Sequence, residues 1–129
     1  MSYVLFTAIG DTDPVRGQFD GPMLHIVRHY KPSKVYMFLT ADMSKREKDT
    51  GCYEKAIKFL SPECEIEKIF TDIDNAHSFD EFAIRFDSII NEIHNENPDS
   101  QILLNISSAT PQIKTSMCLA VISHRHNLI

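Results

Sequence analysis

The chain has 129 residues, room for one ordinary domain and little more. Hydrophobic residues make up 43% and charged residues 24%, which excludes the apolar-poor, charge-rich balance of a disordered chain. Thirteen lysines and arginines against eighteen aspartates and glutamates give a formal charge of −5, which argues against a broad basic footprint for duplex DNA. Any anionic ligand has to be held locally. Cys52, Cys64 and Cys118 are an odd number without a CxxC, which fits neither a disulfide framework nor a four-ligand zinc site. The opening Met1-Ser2-Tyr3-Val4-Leu5-Phe6-Thr7 lacks a basic leader, and no apolar run approaches the length of a membrane span. A cytoplasmic protein with no membrane partner is expected.

The first apolar run, Tyr3 to Ile9, has strand length. A polar loop then leads to a helix opening at Asp20-Gly21-Pro22, with proline where a helix needs no N–H and Met23, Leu24, Ile26, Val27 and Tyr30 as its apolar side. Lys34 to Leu39 is the second strand. Helical spacing follows from about Lys45 to Leu60, with Tyr53, Ala56, Phe59 and Leu60 facing inward and Pro62 ending it. Ile66 to Phe70 is the third strand, and Thr71 to His77 a polar, acidic connection. The clearest helix carries Phe79, Phe82, Ala83, Phe86, Ile89, Ile90 and Ile93 on one stripe, opened by a Ser78/Glu81 capping box. Ile102 to Ile106 is the fourth strand. The last helix begins at Thr110-Pro111 and carries Ile113, Met117, Leu119, Val121 and Ile122, an unusually wide apolar coverage. Strands alternating with helical crossovers predict an α/β fold, an open, mostly parallel Rossmann-like sheet flanked by helices. After the last helix, Asn127-Leu128-Ile129 resembles the opening of a fifth strand, so residues 1–129 read as one domain cut from a longer protein.

In such a sheet, ligands bind where the strands end, because the strand-to-helix loops converge there beside unpaired helix N–H groups. Two loops stand out. Ile9-Gly10-Asp11-Thr12-Asp13-Pro14-Val15-Arg16-Gly17 is rich in turn formers but is neither a GxGxxG nor a Walker A. Asn105-Ile106-Ser107-Ser108-Ala109-Thr110-Pro111-Gln112 gathers Asn105, Ser107, Ser108, Thr110 and Gln112 at the start of a helix, whose dipole favours negative charge. These neutral side chains can hold phosphates, ribose hydroxyls or a base edge without lysine. They are equally the ordinary chemistry of turns and caps. Redundancy favours the ligand reading, since one cap residue starts a helix and this loop carries several. Thr40-Ala41-Asp42-Met43, after the second strand, reaches the same edge.

The pairing of Gly10-Asp11-Thr12-Asp13-Pro14 with Asn105-Ile106-Ser107-Ser108-Ala109-Thr110-Pro111-Gln112 resembles the CARF domain (CRISPR-associated Rossmann fold) of the type III ancillary ribonucleases of the Csm class. Gly21-Pro22-Met23-Leu24-His25-Ile26 and Arg28-His29-Tyr30 are similar to that family's first helix. The family often places glycine where this chain has Ser108-Ala109. The resemblance implies a sensor of cyclic oligoadenylate, with a six-adenylate ring favoured, lying across a homodimer. It implies Gly10, Asp11, Thr12 and Asp13 as binders in one loop, with Asn105, Ser107, Ser108, Thr110 and Gln112 in the other. An even-membered ring presents the same face to two symmetric copies. Ile113, Met117 and Val121 then pack against the partner's copy, or against their own sheet.

Full-length members carry a HEPN ribonuclease domain, marked by an arginine and a histidine four to six residues apart. Here Arg16 to His25 and Arg85 to His94 are the nearest approaches and are too long. The expectation is therefore a regulator of a ribonuclease rather than the ribonuclease itself, needing no cofactor and no metal. Some CARF domains also linearise their ligand slowly, and Thr110 and Asn105 are the candidate positioners. A standalone ring nuclease is thus one alternative, and a dinucleotide- or nucleic-acid-binding module another, although the glycine fingerprint and basic face of the latter are missing.

The remaining features have plainer readings. His25 and His29, four apart, lack a third ligand and read as surface or stacked rings. Asp11 and Asp13, like Asp72 and Asp74, read as turn formers, and His124-Arg125-His126 as a helix end. Lys45-Arg46-Glu47-Lys48-Asp49 reads as solvated helix surface.

Overall fold

The computed structural model describes residues 2–9, 15–16, 19–71 and 79–105, and the side chains of residues 2–9, 20–71 and 84–105. Four parallel strands, β1 (Ser2–Ala8), β4 (Lys34–Leu39), β5 (Glu65–Phe70) and β6 (Ser100–Asn105), form one sheet in the order β5-β4-β1-β6. The crossovers are α1 (Pro22–Tyr30), the pair α2 (Ala41–Thr50) and α3 (Cys52–Leu60), and α4 (Phe79–Glu96). The chain moves outward from β1 to β4 to β5, then returns to β6 on the far side of β1. With crossovers of one hand, that reversal puts helices on both faces.

The two faces divide the core. Val4, Phe6 and Ala8 of β1 pack with Tyr36 and Phe38 against Phe86, Ile90 and Ile93 of α4. Leu5 and Ile9, with Val35, Met37 and Leu39, meet Met23, Leu24 and Val27 of α1 and Tyr53 and Ile57 of α3. Period-two alternation sends neighbouring residues to opposite layers, so central strands covered on both sides read as unbroken apolar runs. At the far end of α4, the Tyr36 hydroxyl donates to Glu96 Oε2 at 2.8 Å and accepts from Asn97 Nδ2 at 2.9 Å. Burial pushes the Tyr36 phenol above its usual range.

Several expectations are corrected. The loop after β1 is not wholly irregular: β2 (Val15–Arg16) and β3 (Phe19–Asp20) pair antiparallel within it. The segment expected as a single helix from Lys45 to Leu60 is two helices. Gly51 divides them at φ 65° and ψ 20°, in the left-handed region that glycine enters without steric penalty. Phe59 does not face inward but stands 86% exposed, and Ile57 takes the buried position. The charged run is not all solvated surface, because Glu47 is only 2% exposed. Its Oε1 accepts the Tyr53 N–H at 3.0 Å, and its Oε2 accepts the Glu54 N–H at 3.2 Å. A side chain of α2 therefore caps α3, which Gly51 turns toward it. Tyr30 is 44% exposed rather than core, and packs edge-on against Tyr3 at 5.4 Å. The Ser78/Glu81 capping box, the helix expected from Thr110 and the strand-like Asn127-Leu128-Ile129 lie outside the described residues or side chains.

Candidate functional site

Because the four strands are parallel, Ala8, Leu39, Phe70 and Asn105 all end at one edge. Strand order reverses between β1 and β6, and crevices of open α/β sheets form at such a reversal. There Thr7 stands in register with Asn105. Both are buried, at 0% and 1% exposure, and Asn105 Nδ2 donates to Thr7 Oγ1 at 2.9 Å. Hydrogen bonds between buried polar groups are costly to lose, so this pair fixes the Asn105 amide at the mouth of the crevice. The register brings the roots of both polar loops side by side: Thr7 lies three residues before Gly10, and Asn105 two before Ser107. Of the site residues expected from sequence, the structure places Asn105. Gly10, Asp11, Thr12, Asp13, Ser107, Ser108, Thr110 and Gln112 lie outside the described residues.

The neighbouring strand ends are tied into the same edge. Ile9 N–H donates to the Phe38 carbonyl at 3.0 Å. Ser44 Oγ lies 3.0 Å from both the Leu39 and Thr71 carbonyls, and Thr71 Oγ1 donates to Leu39 O at 2.7 Å. The head of α2 is thereby anchored between β4 and β5. Its N-cap, Thr40, is 9% exposed, extended at φ −70° and ψ 176°, and makes no side-chain capping bond. Asp20, at the end of β3, accepts from Arg28 Nε at 2.7 Å and from Nη2 at 3.3 Å. That guanidinium holds the Asp20 carboxyl below the usual carboxylate range and ties the ribbon to α1.

Thr7, Ser44 and Thr71 are site-supporting residues that the sequence reading did not single out. The signal available for Thr7 was a small polar residue within the apolar stretch Val4 to Ile9, three residues before Gly10. His25 and His29 lie on exposed α1 surface with rings edge-on at 4.3 Å. Among the described residues, no three His, Cys, Asp or Glu side chains gather as a metal site, and no helix is long and apolar enough to cross a membrane.

Residues 63–129 match the family model described as the Cas_Csm6 CARF domain. The chain belongs to the Csm6 CARF family. It is 40% identical over 114 residues to the CRISPR system endoribonuclease Csm6 of Mycobacterium tuberculosis (strain ATCC 25618 / H37Rv), covering 88% of this chain and 28% of that protein. To the Csm6 of Enterococcus italicus it is 34% identical over 126 residues, covering 94% of this chain and 29% of the relative. The CARF chain thus spans under a third of the length of these relatives. Among solved structures it is similar to Enterococcus italicus Csm6 bound to cyclic hexa-2′-fluoro-hexa-dAMP. The TM-score is 0.88 at 32% identity, covering 99% of this chain and 32% of that one. The parallel sheet of this CARF chain is the Rossmann-like architecture expected from its sequence.

Proposed function

We propose that this chain is a cyclic oligoadenylate sensor, preferring the six-adenylate ring, that allosterically controls a cytoplasmic CRISPR antiviral-defence endoribonuclease. The observation that carries this reading is the 0.88 TM-score, over 99% of the chain, to a Csm6 bound to a cyclic hexanucleotide analogue. The buried Thr7–Asn105 pair at the strand-order reversal supports it, as a rigid polar base from which both loops depart. In this reading Gly10, Asp11, Thr12 and Asp13 line one side of the ligand, and Asn105, Ser107, Ser108, Thr110 and Gln112 the other. Neutral side chains and helix N–H groups hold the phosphates locally, which reconciles a polyanionic ring with a chain of charge −5. Two copies share one ring about a two-fold axis, and the nuclease activity resides in a part of the protein beyond this sensor domain.

Asn105→Ala and Thr110→Ala are each expected to weaken binding of cyclic hexa-adenylate by about 1–3 kcal/mol, the cost of leaving a buried partner unsatisfied. Fluorescence-detected titration of the two variants against the unmodified chain measures this, and unchanged affinity contradicts the assignment. Prolonged incubation of the ring with excess chain is expected to return it intact. Linear oligoadenylate in that mixture instead identifies a ring nuclease, with Asn105 and Thr110 as its positioning residues.

A further inference from the structure

We propose that the outer edge of β5, with the groove between β5 and α4, is a docking site for an extended segment of a protein partner that carries lysine or arginine at alternate positions. The site lies along the flank of the sheet, away from the edge where the strands end, and does not depend on the cyclic oligoadenylate reading. β5 is the last strand on its side of the sheet: it pairs with β4, and no other described residue pairs with its outer edge. The ladder fixes which backbone groups are left over. Glu65 N–H donates to the Ser33 carbonyl and Thr71 N–H to the Leu39 carbonyl, each at 3.0 Å. In a parallel ladder alternate residues turn the same way, so Ile66, Lys68 and Phe70 hold their N–H and C=O groups outward.

The two faces beside this edge differ. On the face of α2 and α3, Lys68 reaches inward to Glu47 at 3.2 Å and Glu54 at 3.1 Å and closes that side. On the other face α4 is seated over β1 and β4, and no residue of β5 is fully buried. A groove of about 330 Å³ remains between α4 and β5, with Ile69, Ile89 and Ile93 as its apolar floor and Glu67, Glu92 and Glu96 among its polar lining. Lys34 lies over the Tyr36 ring at 4.6 Å and reaches Glu67 at 3.8 Å and Glu96 at 3.7 Å, so one ammonium serves two half-exposed carboxylates. Glu92 adds a third, one helical turn from Glu96. Arg85 is the cation of the opposite end, which leaves the negative excess beside Tyr36.

Backbone and charge select the same occupant. An added strand gives the outward groups of Ile66, Lys68 and Phe70 their partners, and every second side chain of that strand falls on the α4 face. There an apolar stem covers the isoleucine floor while its basic end meets the carboxylates. A second copy of β5 does not fit. A two-fold axis through the middle of the strand sets either Glu67 opposite the same residue of the copy or Lys68 opposite its own, and like charges directly opposite destabilise a strand pair.

The test is backbone hydrogen exchange, followed by NMR, on the unmodified chain and on the double variant Glu67→Lys/Glu92→Lys. The probes are two end-capped hexapeptides, one alternating lysine with valine and the other glutamate with valine. A saturating amount of the lysine peptide is expected to slow exchange of the Ile66, Lys68 and Phe70 amides about tenfold, while those of Glu67 and Ile69, which face β4, stay as they are. The glutamate peptide is expected to slow none of them. In the double variant, whose two substitutions fall on exposed positions, the lysine peptide is expected to bind about tenfold more weakly, with the melting temperature of the chain unchanged. Absence of slowing by the lysine peptide overturns the proposal, and so does equal slowing by both peptides. Both results are read on the unmodified chain, whatever the stability of the variant. Slowing confined to amides outside β5, or undiminished binding of the lysine peptide by the folded double variant, also overturns it.

Discussion

Replacing Phe86 by alanine is expected to destabilise the fold by about 3–5 kcal/mol, the loss that follows truncation of a fully buried aromatic ring. Phe86 is fully buried on α4 and meets two strand residues edge-on, Phe38 with ring centroids 4.9 Å apart and Phe6 at 5.7 Å. Truncation removes the apolar burial of a ring, leaves a cavity between helix and sheet, and breaks two aromatic contacts worth about 0.5–1.5 kcal/mol each. Single domains hold only about 5–15 kcal/mol in all, so the variant should unfold at a much lower urea concentration. Phe59→Ala is the matched control: at 86% exposure its ring has little burial to lose, and a change within about 0.5 kcal/mol is expected. Equal losses at both positions contradict the packing described above.

The second large effect is expected at Glu47. Its buried carboxylate caps α3 through the Tyr53 and Glu54 N–H groups and lies 3.2 Å from Lys68 Nζ, which also binds Glu54 at 3.1 Å. Glu47→Ala strips one buried and one part-buried amide of their acceptor, and about 2–4 kcal/mol of stability should be lost. Glu47→Gln keeps one acceptor oxygen and should fall between. Burial of Lys68 works against its charge, but the hydrogen bonds to Glu54 and Glu47 more than reverse this, so its pKa rises above the ordinary 10.5. A pKa raised by folding contributes stability that is complete below the unfolded value and is lost as pH rises through the folded one. Urea unfolding followed from neutral to strongly alkaline pH should therefore show a loss beginning near 10.5 in the unmodified chain and a smaller one in Glu47→Gln. Identical pH profiles contradict the coupling of Lys68 to Glu47.

These two residues also show what was legible in the sequence. Phe86 sits on a stripe of aliphatic and aromatic residues at helical spacing, and a pattern set by burial can be read directly. The strands were readable for the same reason, β4 to the residue at Lys34–Leu39, because two-sided coverage leaves no polar face to interrupt the run. Glu47 was not readable. A glutamate between Arg46 and Lys48 has the composition of solvated surface, and its burial follows only from the turn at Gly51, which brings the first amides of α3 against it. The ribbon β2–β3 was invisible because two-residue strands carry no periodicity. At the site, the neutral polar loop after the last strand was conspicuous, and Asn105 proves to be buried at the edge where the strand order reverses. Its partner Thr7 was not, since their pairing depends on the β1/β6 register, which sequence spacing does not specify.

In the proposed function this sheet edge receives one looped polyadenylate between two copies of the chain. Calorimetric titration of the purified chain with six-adenylate and four-adenylate rings tests it most directly. The account predicts saturable heat with the larger ring at one ring for every two chains, and weaker binding of the smaller. The absence of heat with both rings contradicts it.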